Sequence, residues 1–165
     1  MLESEFRTWK PDIVAGTIAI VAVMATLLSG QVATYPALPW YEQLAKPSIN
    51  PPSWAFAEVW ATLYALMAYA LFRVLRMHQH SPERTRAIVL FVVMLVLNAT
   101  WAWMFFGARS PLLGLINIVI QLAVVVAAAA AFWKIDKIAA LCLVPLTGWV
   151  AFAAVLNFAI WRLNG

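Results

Sequence analysis

Residues 112–132 read LLGLINIVIQLAVVVAAAAAF, an apolar run without a single charge. A helix needs about 17–25 such residues to cross a bilayer. Four more runs of comparable length occur, at Ile13–Ser29, Trp54–Val74, Ala87–Gly107 and Ile138–Ile160. Hydrophobic residues make up 65% of the chain and charged ones only 11%. A soluble helical core would need polar faces at helical period, and these runs carry almost none. In lipid the backbone must satisfy its own polar groups, so the pattern predicts an all-α membrane protein. Its five transmembrane helices would form one bundle over residues 13–165, preceded by a polar tail at 1–12.

The flank Met1–Asp12 carries Glu3, Glu5 and Asp12 beside Arg7 and Lys10, and no clean cleavage pattern follows. The first run is therefore expected to remain as a helix rather than leave as a signal peptide. With five crossings, Arg7, Lys10, Arg73, Arg76, Arg84, Arg86, Lys134 and Lys137 share one side, against Lys46, Arg109 and Arg162 on the other. That asymmetry favours a cytoplasmic N-terminus in an inner membrane and leaves the compartment open. These flanks explain the net charge of +4, and no nucleic-acid partner is expected. Cys142 stands alone inside the fifth run, which excludes an internal disulfide or a cysteine cluster. It is expected to pack as a small hydrophobe.

Connections differ in length. The third and fourth runs are joined by residues 108–111 and the fourth and fifth by a turn near Lys134–Lys137, so these are antiparallel neighbours. The first connection, Gln31–Ser53, is much longer and holds Pro36, Pro39, Pro47, Pro51 and Pro52 with Tyr35, Trp40 and Tyr41 among them. Prolines reduce the entropy lost on ordering and aromatics give the segment something to bury, so a long ordered loop acting as a lid is expected. An interfacial aromatic belt is the other reading, and both can hold. Behind the loop, Trp60, Tyr64 and Met67 fall at i, i+4 and i+7, an aromatic stripe along one helix face. A lidded pocket for a flat, apolar ligand would be built this way.

Of nine tryptophans, Trp9, Trp40, Trp54, Trp133 and Trp161 lie near run ends, where interfacial anchoring is ordinary. Trp60, Trp101, Trp103 and Trp149 lie deeper, in packing or around an aromatic cavity. Asn98, Trp101 and Phe105 share a face of the third run, which makes Asn98 the better ligand candidate among the buried amides. Asn117, Gln121 and Asn157 fit helix-to-helix hydrogen bonds. Pro145 is expected to bend the fifth helix one turn before Trp149. Glu58 lies one turn inside the second run, where the helix dipole favours a carboxylate; a structural place is expected over catalysis. His78 and His80 form a weak metal signal in a polar loop, and no metal is expected. No Ser-His-Asp set, phosphate loop or paired carboxylate supports hydrolysis or phosphoryl transfer.

The run Trp40-Tyr41, Lys46-Pro47, Pro51-Pro52-Ser53-Trp54-Ala55-Phe56, Val59-Trp60, Leu63-Tyr64 resembles the signature of the translocator or tryptophan-rich sensory proteins, the TspO/MBR family. The similarity continues through Asn98-Ala99-Thr100-Trp101, Phe105-Phe106-Gly107, Val144-Pro145, Trp149, Phe152-Ala153, Leu156-Asn157 and Trp161-Arg162-Leu163-Asn164. The resemblance implies tetrapyrrole binding (protoporphyrin IX, haem), with no obligatory cofactor and often a homodimer. Isoquinoline carboxamide and benzodiazepine ligands, and cholesterol in some members, are implied too. The implied pocket lies beneath the first loop, where Tyr41, Pro51, Trp60, Asn98, Trp101, Trp149 and Ala153 match its positions. Trp54 and Tyr64 complete the candidate ligand-contact set. Trp60 and Trp149 match tryptophans implicated in light- and oxygen-dependent porphyrin breakdown, the only catalytic role the resemblance offers. Departures are Glu58 for a common proline, Ile49 for an aromatic, and Leu146 for a tyrosine. Phe158 leaves the weak cholesterol motif incomplete, so specific sterol binding is not expected.

The expected function is tetrapyrrole handling in sensing, transport or scavenging, with porphyrin degradation or small-molecule and lipid transport as alternatives. Against transport, no inverted repeat or discontinuous helix pair is visible. Ala123, Ala127 and Ala131 form a small-residue ridge that would permit close contact with a second copy or with another helix of the same chain.

Overall fold

The computed structural model describes the backbone of residues 2–77 and 81–165, with side chains from residue 12 onward. His78 and His80 fall outside the described residues. The chain forms helices α1 (Leu2–Thr34), α2 (Leu38–Gln43), α3 (Ser53–Leu75), α4 (Pro82–Ala102), α5 (Pro111–Trp133) and α6 (Lys137–Asn164). No strand occurs among the described residues. Five helical segments are long and apolar enough to cross a membrane: Asp12–Gln43, Ser53–Leu75, Pro82–Gly107, Pro111–Trp133 and Lys137–Asn164.

Local chemistry sets the boundaries. Ser81 and Ser110 accept from the Arg84 and Leu113 N–H groups, and Pro82 and Pro111 follow at the first helical position. Asp136 caps α6 by accepting from the N–H groups of Ile138 (2.9 Å) and Ala139 (3.0 Å). Inside the spans, the hydroxyls of Thr26, Thr34, Thr62, Thr100 and Thr147 each donate to the carbonyl four residues back. This keeps polar groups paired where no water can serve them.

The first connection departs from the sequence expectation. Instead of a loop over Gln31–Ser53, α1 continues to Thr34, a 3₁₀ turn covers Tyr35–Ala37, and α2 follows directly. Only residues 44–52 are irregular. Pro36 and Pro39 each stand at a helix start, where a missing N–H leaves nothing unpaired, so they begin turns rather than break them. Asn164 ties the irregular stretch to the end of α6: Ala45 N–H donates to its Oδ1 at 2.9 Å, and its Nδ2 donates to the Ala45 carbonyl at 2.9 Å. Tyr41 OH donates to Asn50 Oδ1 at 3.0 Å.

The bundle closes as a ring in the order α1, α3, α6, α5, α4 and back to α1. Helices α3 and α4, although consecutive, touch sparingly. Arg84 bridges them by donating to the carbonyls of Val74 and Leu75 at the end of α3. The interior holds Met67, Val74, Phe91, Met94, Val125, Phe132, Leu143 and Leu146, all fully buried. The outer face is apolar as well, with Ile116, Val119, Ile120 and Val126 of α5 exposed. A hydrocarbon solvent tolerates that surface and water does not. The protein is therefore a multi-pass integral membrane protein.

Candidate functional site

The aromatic stripe of α3 faces inward. Trp60 and Tyr64 have ring centroids 5.3 Å apart, and Trp60 meets Trp149 of α6 edge-on at 6.5 Å. Phe56 and Phe152 flank Trp149 at 5.8 and 5.5 Å. Ala153 is half-buried against the same hydrophobic core. The sequence did not single out Phe56 or Phe152 as site residues. Their signal was helical spacing, four residues before Trp60 and three after Trp149.

A second group lies nearer the first connection. Trp101 stacks on Phe105 at 5.2 Å, and Phe106 meets Trp101 edge-on at 5.8 Å. Trp40, Tyr41 and Leu44 press down on buried Phe105, Leu156 and Ile160. Tyr41 contacts Phe105 and Phe106 at 6.1 and 5.6 Å, and the Lys46 ammonium lies 4.8 Å from the Tyr41 ring. The connection thus covers this second group. Helix α4 ends here in a π turn over Trp103–Gly107, where Ala108 N–H reaches back five residues to the Trp103 carbonyl.

Two amide–aromatic hydrogen bonds cross the bundle. Tyr64 OH donates to Asn98 Oδ1 at 2.9 Å, joining α3 to α4. Trp101 Nε1–H donates to Asn157 Oδ1 at 3.1 Å, while Asn157 Nδ2 donates to the Pro111 carbonyl at 2.7 Å. Asn157 therefore links α4, α5 and α6. Gly114 makes the approach possible, since a Cβ there would sit 2.8 Å from Phe105 Cδ2 and 2.9 Å from Asn157 Oδ1. Asn117 and Gln121 behave differently from the helix-linking amides expected. Asn117 Oδ1 and Gln121 Nε2 are buried without a partner among the described residues.

The remaining candidates divide. Pro51 stands at the head of α3, its carbonyl accepting from Asn50 Nδ2. Trp54 is 65% exposed and belongs to neither aromatic group. Trp103, expected to be deep, is 48% exposed, its indole N–H donating to Ser29 Oγ at 3.1 Å. Glu58 is exposed near the start of α3. Cys142 is free and packs at the edge of the core. Within the core the rings rest on one another. Two shallow clefts, of about 220 and 190 Å³, lie elsewhere: one beside Arg73, Arg76, Met77 and Asp136, the other beside Val32, Pro36, Trp103 and Arg109.

Fold and site together define a multi-pass membrane protein whose core of indoles, phenyl rings and paired amides is capped by its own first connection. The TspO/MBR family profile matches residues 17–162. The chain belongs to that family. It is 44% identical over 129 residues to the tryptophan-rich protein TspO of Chlorobaculum tepidum, covering 78% of this chain and 82% of that one. With the translocator protein of Sus scrofa it shares 35% identity over 157 residues, 94% and 91% of the two chains. Protein CrtK of Rhodobacter capsulatus is 35% identical over 125 residues, covering 76% and 78%.

Proposed function

We propose that this protein binds tetrapyrroles such as protoporphyrin IX or haem within the aromatic core, for sensing, transport or scavenging. The carrying observation is the convergence of Trp60, Trp149, Tyr64 and Asn98 inside the bundle, beside the group onto which Trp40 and Tyr41 pack. Flat apolar faces would gain about 25 cal/mol for each Å² buried against such rings, before the costs of association. The rings now touch, so a macrocycle is admitted by parting them, and the first connection must lift. Asn98 then offers an amide to a pyrrole N–H or a propionate once Tyr64 releases it. The family membership supports this reading, and the edge-on Trp60–Trp149 pair favours a second. An excited porphyrin beside these electron-rich indoles would be quenched or would oxidise one of them, with oxygen as the final oxidant. A homodimer is proposed as well, because Ala123 and Ala127 face outward and allow a second copy to approach.

The test is quenching of tryptophan fluorescence by protoporphyrin IX in the dark, repeated under illumination in air. Saturable dark quenching that weakens in Trp60→Phe supports the binding site. Trp149→Phe is expected to keep much of the binding while slowing porphyrin loss in light. Equal light-driven rates would remove the redox role, and quenching that never saturates would remove the binding site.

A further inference from the structure

The cleft of about 190 Å³ at the end of α1 shares only Phe106 with the aromatic core, and its composition is unusual. Its walls are Val32, Pro36, Trp103 and Phe106, with Gly107 and a single charged residue, Arg109, at the rim. Val32 is 62% exposed and Trp103 48% exposed, so the groove opens sideways toward the bilayer. The hydrogen bond from Trp103 to Ser29 fixes the indole as one wall. A Cβ at Gly107 would come within 3.2 Å of Trp103 Cε3, so the glycine lets that wall lie close to the backbone.

Arg109 is set apart in two ways. Its φ of 50° is the only positive value for a non-glycine residue among the described residues. A left-handed residue without glycine's freedom is strained, and such strain collects at functional positions. The π turn immediately before it is the second irregularity, and these also favour functional sites. Several other cations, by contrast, have partners on the protein. Arg73 pairs with Asp136 at 2.8 Å, Arg76 with Asp12 at 3.4 Å, and Lys46 donates to the carbonyls of Glu42 and Leu44. The Arg109 guanidinium has no side-chain hydrogen bond or ion pair among the described residues. A strained backbone thus holds an unspent guanidinium over an apolar groove at the membrane surface.

We propose that this groove binds one anionic phospholipid of the surrounding leaflet, with its phosphate on Arg109 and an acyl chain along Val32, Pro36 and Trp103. A guanidinium matches phosphate oxygens in a planar fork, and tryptophan and arginine are at home at headgroup depth. A porphyrin carboxylate could supply the same anion. The lipid is the occupant because the groove opens on the bilayer side and none of the core indoles lines it. Phe106 belongs to both sites, forming the groove wall and touching Tyr41 at 5.6 Å. An occupied groove therefore braces the segment that covers the core.

The experiment is native mass spectrometry of the delipidated full chain in detergent, with phosphatidylglycerol and phosphatidylcholine of identical acyl chains. One interfacial cation is worth about 1 kcal/mol, so phosphatidylglycerol should be retained about five-fold over phosphatidylcholine. Arg109→Gly should abolish that preference without loss of fold, because glycine suits the backbone there. Arg109→Lys should keep part of it, and Val32→Trp should reduce retention of both lipids. Equal retention by the unmodified protein, or a preference that survives Arg109→Gly, would overturn the proposal. So would dimers that Val32→Trp dissociates, since the groove would then belong to a second copy.

Discussion

Two glycines give a controlled test of how tightly the site is assembled. Replacing glycine by alanine inside a helix ordinarily stabilises it by about 1 kcal/mol. At Gly148 a Cβ would meet nothing within 4 Å, so Gly148→Ala should realise that gain. At Gly114 the same methyl group would lie 2.8 Å from Phe105 Cδ2, 3.0 Å from Phe105 Cβ and 2.9 Å from Asn157 Oδ1. Phe105 is 2% exposed and Asn157 is also 2% exposed, so neither can swing aside into lipid. Overpacking of this kind costs about 1–3 kcal/mol. Moving Asn157 also lengthens its bond to the Trp101 indole, worth roughly 1 kcal/mol in a membrane interior. The losses exceed the propensity gain, so Gly114→Ala should destabilise while Gly148→Ala stabilises. Apparent unfolding midpoints of the two purified variants in one detergent read the sign directly. A Gly114→Ala protein that melts at or above the unmodified one would refute the close α4–α5–α6 approach.

Three further outcomes are expected. Asn164→Ala removes both bonds to Ala45, so protoporphyrin should associate and dissociate faster in stopped-flow quenching; unchanged rates would mean that the tie does not limit access. Tyr64→Phe leaves Asn98 without its donor and should lower stability by about 1 kcal/mol, read as a fall in the unfolding midpoint. The third concerns pH. Burial alone would raise the Asp136 pKa, but Arg73 and the N–H groups of Ala139 and Ile138 outweigh it and hold the carboxyl below its ordinary value. A carboxylate depressed in the folded state adds stability above its unfolded pKa, lost as pH falls through the folded value. The midpoint should therefore drop below about pH 4, and Asp136→Asn should flatten that acid limb while lowering stability at neutral pH.

What the sequence made legible follows from the solvent. Lipid demands long uncharged helices, so all five spans were visible, and helical period placed Trp60, Tyr64, Asn98 and Trp101 on the faces that turn inward. Partners were not visible, because spacing along one helix says nothing of the helix opposite. Asn157 was expected to join helices, but nothing along its own helix named Trp101 as the partner. Trp103 shared the depth of Trp101 but not its face, and the π turn that follows was hidden among ordinary helix formers. The first connection is more helical than expected because Pro36 and Pro39, read as stiffening a long loop, stand at helix starts.

The ring order has a consequence for synthesis. Helices enter the membrane in chain order, but the ring closes only through the α3–α6 and α1–α4 contacts. Trp149 and Asn157, which complete both aromatic groups, belong to the last helix. A nascent chain with four helices in place has Trp60 and Trp101 exposed to one another's empty flank and no finished core. Asn164, which fastens the cover, stands at the far end of the same helix. The cover of the core is thus fastened only once α6 has packed, and a chain without that helix is left open.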